Sequence, residues 1–122
     1  VRKYTLLVKN HSLRGYSPVI RRVMINIDSD LAADLSLSKQ AQLLGVNPSY
    51  LSSLFKKETG HTLTEYVTRK RIDQAIFLLN STNMQIQTVA AYCGIPDLCY
   101  FTKTFKKLVG MTPTEYRGYV MR

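Results

Sequence analysis

The 122-residue sequence is poor in the residues that carry chemistry. It holds two cysteines, Cys93 and Cys99, and two histidines, His11 and His61. Two cysteines make neither a disulfide framework nor a zinc site, and both are expected to be ordinary packed thiols. The histidines stand alone in the sequence. No glycine-rich phosphate loop, paired carboxylate set or metal-ligand spacing occurs. These absences argue against an enzyme, and no cofactor and no metal site is expected. There is no apolar run of membrane-spanning length and no signal peptide, so the chain reads as a soluble, cytoplasmic protein without a membrane partner. Acidic residues are also scarce: eight Asp and Glu stand against seventeen Lys and Arg, for a net charge of +9. The excess favours a polyanionic partner such as DNA, RNA or an acidic membrane, although charge alone fits a merely basic surface equally well. The tyrosines are scattered and do not suggest a platform for stacking RNA bases.

What the sequence does have is a repeat. Leu51 to Tyr66 reads LSSLFKKETGHTLTEY, and fifty residues later Phe101 to Tyr116 reads FTKTFKKLVGMTPTEY. Eight of the sixteen positions are identical, among them Phe55/Phe105, Gly60/Gly110, Thr62/Thr112 and Glu65/Glu115. Upstream the offset falls to forty-nine, pairing Leu37, Ala41 and Gly45 with Ile86, Ala90 and Gly94. One residue has been added to the second copy, near Pro96. A supersecondary unit therefore occurs twice in one small chain.

Punctuation between the apolar stripes defines the elements. Residues 1–16 carry a short apolar core, Leu6-Leu7-Val8, and read as a linker or the tail of an upstream domain. The first residue is Val rather than Met, which points to a piece of a longer protein. Ser17-Pro18 opens a helix with Ser as N-cap and Pro at the first position. Ile20, Val23, Met24, Ile27 and Leu31 follow at helical spacing. Arg21 and Arg22 lie off that stripe, on a solvated or phosphate-contacting face. Ser36 to Leu44 is a short helix ended by Gly45. Asn47 caps, and Pro48 starts, a helix reaching about Thr59. Two short helices joined by a tight glycine-containing turn form a helix-turn-helix. Thr62-Leu63-Thr64-Glu65 is a capping box, opening the longest helix, about 63–80. The plan then repeats. A short helix ends at Gly94, Asp97 caps a helix to about Val109, and Thr112-Pro113-Thr114-Glu115 opens a last helix to about Val120. The expected fold is all-α: seven helices in two helix-turn-helix units (17–62 and 81–122) joined by the helix 63–80, with 17–122 as one domain.

The second helix of each unit has two faces. Leu51, Leu54 and Phe55 point inward in the first copy, as do Phe101, Phe105 and Leu108 in the second. The other face carries Ser49, Ser52, Ser53 and Lys56 at i, i+3, i+4, i+7, matched by Cys99, Thr102, Lys103 and Lys106. None of these eight side chains is a carboxylate. Such a face can enter a major groove closely and donate to phosphates and base edges. Lys57 and Lys107 sit at the rims, in positions suited to phosphates. A helical protein-interaction module with incidental basic charge is the alternative.

The segments SYLSSLFKKETGHTLTEY, RKRIDQAIFLL and GIPDLCYFTKTFKKLVGMTPTEYR resemble the C-terminal DNA-binding domain of the AraC/XylS family of bacterial transcription regulators. The resemblance runs from about Pro18 to Arg117. It implies a monomeric domain binding double-stranded DNA, with two recognition helices in successive major grooves. The family's base-reading positions fall at Ser49, Ser52 and Ser53 in the first helix and at Leu98, Cys99, Thr102 and Lys103 in the second. Small side chains at the first set read bases more weakly than a bidentate Arg or Gln. The family also implies an activator that contacts RNA polymerase, and an N-terminal sensing, receiver or dimerisation domain.

Overall fold

Residues 15–120 are described by the computed structural model of the chain, and among them there are seven α-helices and no strand. The Leu6-Leu7-Val8 stretch, with His11 and most of the 1–16 segment, lies outside the described residues. The helices are α1 (Pro18–Ser29), α2 (Leu37–Leu44), α3 (Pro48–Thr59), α4 (Leu63–Ser81), α5 (Ile86–Tyr92), α6 (Leu98–Val109) and α7 (Pro113–Val120). The described residues divide into two compact units, 15–68 and 69–120, and the boundary falls within α4.

In the first unit α3 packs against both α1 and α2. Ile20, Val23 and Ile27 from α1 are fully buried, with Leu51 and Phe55 from α3 and Leu63, Tyr66 and Val67 from the start of α4 also in this core. Their periodicity of three and four is what puts them on single helix faces. The α1 stripe stops one turn earlier than its spacing suggests. Asp30 turns to an extended conformation at φ −158°, ending the helix at Ser29 and leaving Leu31 beyond it. The Asp30 carboxylate there accepts the Ala32 amide at 3.1 Å, a local bond that competes with further helix. Ser17 holds the N-cap position of α1, but its hydroxyl caps nothing and is buried without a partner among the described residues. Its backbone amide instead donates to Glu58 Oε1 at 2.8 Å, tying the entry of α1 to the far end of α3.

The second unit has its own core. Ile72, Ala75, Ile76 and Leu79 of α4 meet Val89, Ala90, Cys93 and Ile95, with Phe101, Phe105 and Val109 from α6. The turns before α3 and α6 are closed in the same way. The Val46 amide donates to the Ala41 carbonyl at 3.0 Å, and the Ile95 amide to the Ala90 carbonyl at 2.9 Å. The residue added at Pro96 therefore falls after this shared lock and before the cap of α6. Gly60 and Gly110 end α3 and α6 in the left-handed region, at φ 82° and 100°. Any residue with a Cβ would be strained there. Each glycine amide donates back to a lysine carbonyl, Lys56 at 2.9 Å and Lys106 at 2.8 Å.

Candidate nucleic-acid interface

The caps that start α3 and α6 decide which side chains face outward. The Asn47 side-chain oxygen accepts the amides of Ser49 and Tyr50 at 2.8 and 3.2 Å. Asp97 accepts the Tyr100 amide at 3.1 Å. These bonds satisfy donors that a helix start would otherwise leave orphaned. They also set the first turn so that Leu51 and Phe55, or Phe101 and Phe105, point into the core. The opposite faces then have to face outward.

On α3, Ser49, Ser52, Ser53, Lys56 and Lys57 are all exposed. On α6, Leu98, Cys99, Lys103, Lys106 and Lys107 are exposed and Thr102 is half-buried. Each set of residues singled out in the sequence therefore shares one helix surface within its own unit. Leu98 is 40% exposed, an apolar side chain left in the open at the leading edge of α6.

The Thr62 amide hydrogen bond is the main influence holding the Glu65 carboxyl below its ordinary range, and Lys56 adds to it. Thr112 and Lys106 act on Glu115 in the same way. All four paired lysines lie in the last turn of their helices, where the backbone dipole also favours a cation. The two thiols differ sharply. Burial pushes Cys93 up to about 11, whereas Cys99 lies exposed on α6.

Two side chains on these surfaces do not stand out from composition or periodicity. Tyr50 and Tyr100 are 54% and 56% exposed, on the first turns of α3 and α6. They look scattered among eight tyrosines. The signal that finds them is the fifty-residue offset, which pairs them one position upstream of the LSSLFKK window. Among the described residues no group of three His, Cys, Asp or Glu gathers as a metal site would require. No described helix is long and apolar enough to cross a membrane.

Paired helix-turn-helix units, each offering a carboxylate-free helix surface, define a helix-turn-helix nucleic-acid-binding domain. Comparison with known proteins narrows the class. The helix-turn-helix domain family model matches residues 40–119. The arabinose operon regulatory protein of Escherichia coli K12 is 38% identical over 92 residues, 74% of this chain and 32% of that protein. The C-terminal domain of AraT, a response regulator from Geobacillus stearothermophilus, is 35% identical with a TM-score of 0.84, covering 86% of this chain and 88% of that one. The C-terminal domain of the two-component response regulator yesN from Fusobacterium nucleatum is 30% identical with a TM-score of 0.79, covering 83% and 99%. The chain belongs to the AraC/XylS family of transcription regulators and corresponds to its DNA-binding domain. It spans 13% of the length of one curated relative, the transcriptional regulator YtdP of Bacillus subtilis, and 33% of another, the arabinose operon regulatory protein of Salmonella typhimurium.

Proposed function

We propose that α3 and α6 are the two recognition helices of this domain, each laid in a major groove of double-stranded DNA. The observation that carries this reading is the outward surface repeated on both helices: exposed, basic or hydroxylated, and without a carboxylate. A groove lined with phosphates tolerates such a surface and rejects an acidic one. The base-facing positions are Ser49, Ser52 and Ser53 on α3 and Leu98, Cys99, Thr102 and Lys103 on α6. Lys103 is the strongest base reader among them, since a lysine ammonium donates to guanine O6 and N7. Thr102 and Leu98 supply apolar surface for a thymine methyl. Three serines on α3 give less discrimination per base pair, so the half-site under α6 carries more sequence information. Lys57 and Lys107 neutralise phosphates at the rims, and Lys56 and Lys106 add positive charge to the same exposed surfaces.

For the chain's regulatory role we draw on its relatives. The protein named for the arabinose operon regulates by that name, and the family resemblance implies activation through contact with RNA polymerase. We extend both to this chain. Selecting bound duplexes from a random pool tests the binding. Enrichment of a bipartite site, with one half more constrained than the other, is the expected result. Recovery of unenriched sequence would favour the protein-interaction module. Transcription from a promoter bearing the selected site, with purified polymerase, tests the activation.

A further inference from the structure

The repeat inside the chain separates two kinds of surface residue. Most pairs that are identical at the fifty-residue offset are accounted for by the fold: the core phenylalanines, the terminating glycines and the capping boxes. On α3 and α6 themselves the remaining identical pairs are exposed, namely Tyr50/Tyr100 and the lysines at 56/106 and 57/107. The base-facing pairs behave in the opposite way. Ser49/Cys99, Ser52/Thr102 and Ser53/Lys103 all differ. Two half-sites of different sequence present different base edges but the same phosphates. Side chains that read bases should therefore diverge between the two helices, and side chains that grip the backbone should stay the same.

We propose that Tyr50 and Tyr100 are a matched pair of phosphate anchors, one in each unit, whose hydroxyls donate to phosphate oxygens at the rim of the groove. The inference rests on the DNA-binding reading above and adds residues that reading does not contain. Three observations carry it. The tyrosines hold the same place on both helices. They lie on the edge that also carries the rim lysine: Tyr50, Ser53 and Lys57 fall at i, i+3 and i+7, as do Tyr100, Lys103 and Lys107. At 1.5 Å per residue the tyrosine and the lysine stand about 10 Å apart along that edge. Finally, the backbone amide of each tyrosine is held by the helix cap, at 3.2 Å from Asn47 and 3.1 Å from Asp97. Each side chain is more than half exposed and, among the described residues, has no hydrogen-bonded partner or ring contact. The backbone is fixed, and among the described residues nothing holds the hydroxyl.

A neutral donor has a signature that a lysine lacks. It contributes affinity without neutralising a phosphate, so it releases no counterion and leaves the salt slope alone. The test uses the 122-residue chain, a labelled duplex carrying a selected site and a scrambled duplex of equal length, titrated at several salt concentrations. Tyr50→Phe and Tyr100→Phe should each weaken both duplexes by the same factor, about tenfold for a hydrogen bond to a charged group. The slope of log K against log salt should match wild type, whereas Lys57→Ala should make it shallower by about one. Thermal midpoints of the phenylalanine variants should equal wild type. A lowered midpoint would mean that the hydroxyl is bound within the protein, and would overturn the assignment. Loss confined to the selected duplex would make the tyrosines base readers and overturn it as well. Wild-type binding with both phenylalanine variants unaltered would remove the tyrosine assignment alone. A wild-type chain that binds neither duplex would remove the DNA-binding reading, and this inference with it.

Discussion

Thr62 and Glu65 exchange two hydrogen bonds across the start of α4: the Thr62 amide donates to Glu65 Oε1 at 2.8 Å, and the Glu65 amide donates to the Thr62 hydroxyl at 3.1 Å. Thr112 and Glu115 repeat the exchange at the start of α7, at 2.9 and 3.1 Å. Each box begins two residues after the glycine that ends a presenting helix. It thereby fixes where the next helix starts and, through Tyr66 or Tyr116, what lies behind the presented face. Tyr66 meets Phe55 edge to face with ring centres 5.3 Å apart, and Tyr116 meets Phe105 likewise at 5.7 Å.

The first prediction follows from those boxes. Thr62→Ala should cost about 1 kcal/mol through the lost cap. Glu65→Ala and Glu115→Ala should each lower the urea midpoint at pH 7. Both carboxyls titrate below the ordinary value of 4.5 in the folded chain, chiefly through the threonine amides. A depressed folded-state value means stability that is present above the unfolded-state value and is lost as the pH falls through the folded one. The difference between wild type and each glutamate variant should thus be full at pH 7 and close in acid, below 4.5. Midpoints measured from pH 7 to pH 3 check it. A difference that persists at pH 3 would point to packing rather than capping.

Arg117 supplies the second prediction. Its guanidinium donates to the Met84 carbonyl and, at 3.2 Å, to the Thr82 carbonyl, so that α7 is clamped to the loop after α4. Arg117→Ala leaves both carbonyls unpaired and should destabilise the second unit by about 1–3 kcal/mol. Phe105→Ala, in the same core, should cost about 3–5 kcal/mol. Hydrogen exchange in α5 and α6 should speed up in both variants. Unchanged exchange in Arg117→Ala would show that the clamp contributes no stability.

Both the fold and its limits of legibility come down to the range of the interactions. The helices, the Asn47 and Asp97 caps, the boxes at Thr62 and Thr112 and the apolar faces of α3 and α6 arise from residues within four positions of each other, where periodicity and capping chemistry act. Long-range polar contacts leave no such trace. The Ser17 amide finds Glu58 forty-one positions away, and Arg117 reaches back more than thirty. Gln40 is 1% exposed and accepts from Asn26 at 3.2 Å, a buried pairing that looks like two surface residues in the sequence. In the candidate interface, the polar face of each helix was legible because the core residues fix it by exclusion. Tyr50 and Tyr100 break the apolar-in pattern that identifies a face, and the fifty-residue offset between the two copies is what picks them out.

The two thiols give the third prediction. Cys93 is buried and pushed up to about 11, so it should resist alkylation in the folded chain. Cys99 is exposed on α6 and should react readily. Addition of a duplex carrying the selected site should slow labelling of Cys99, and a scrambled duplex at the same concentration should slow it far less. Mass spectrometry of the labelled peptides reads both sites at once. Undiminished labelling of Cys99 in the complex would take α6 out of the groove.

A fourth prediction separates the lysines. Lys103→Ala should weaken the selected site more than random DNA and relax preference at one or two base pairs. Lys57→Ala should weaken all sequences alike. Affinities on the selected site, its single-base variants and a scrambled duplex check the division. Equal losses everywhere for both variants would abolish it.

Sequence-specific binding of duplex DNA is the central claim, and affinity measured against salt on selected and scrambled duplexes tests it most directly. On both duplexes log K should fall steeply with log salt, with a slope of about −0.9 for each phosphate neutralised. The selected duplex should stay about a thousandfold tighter at physiological salt. A flat dependence, or two lines that coincide, would contradict it and leave a basic helical module whose partner is not DNA sequence.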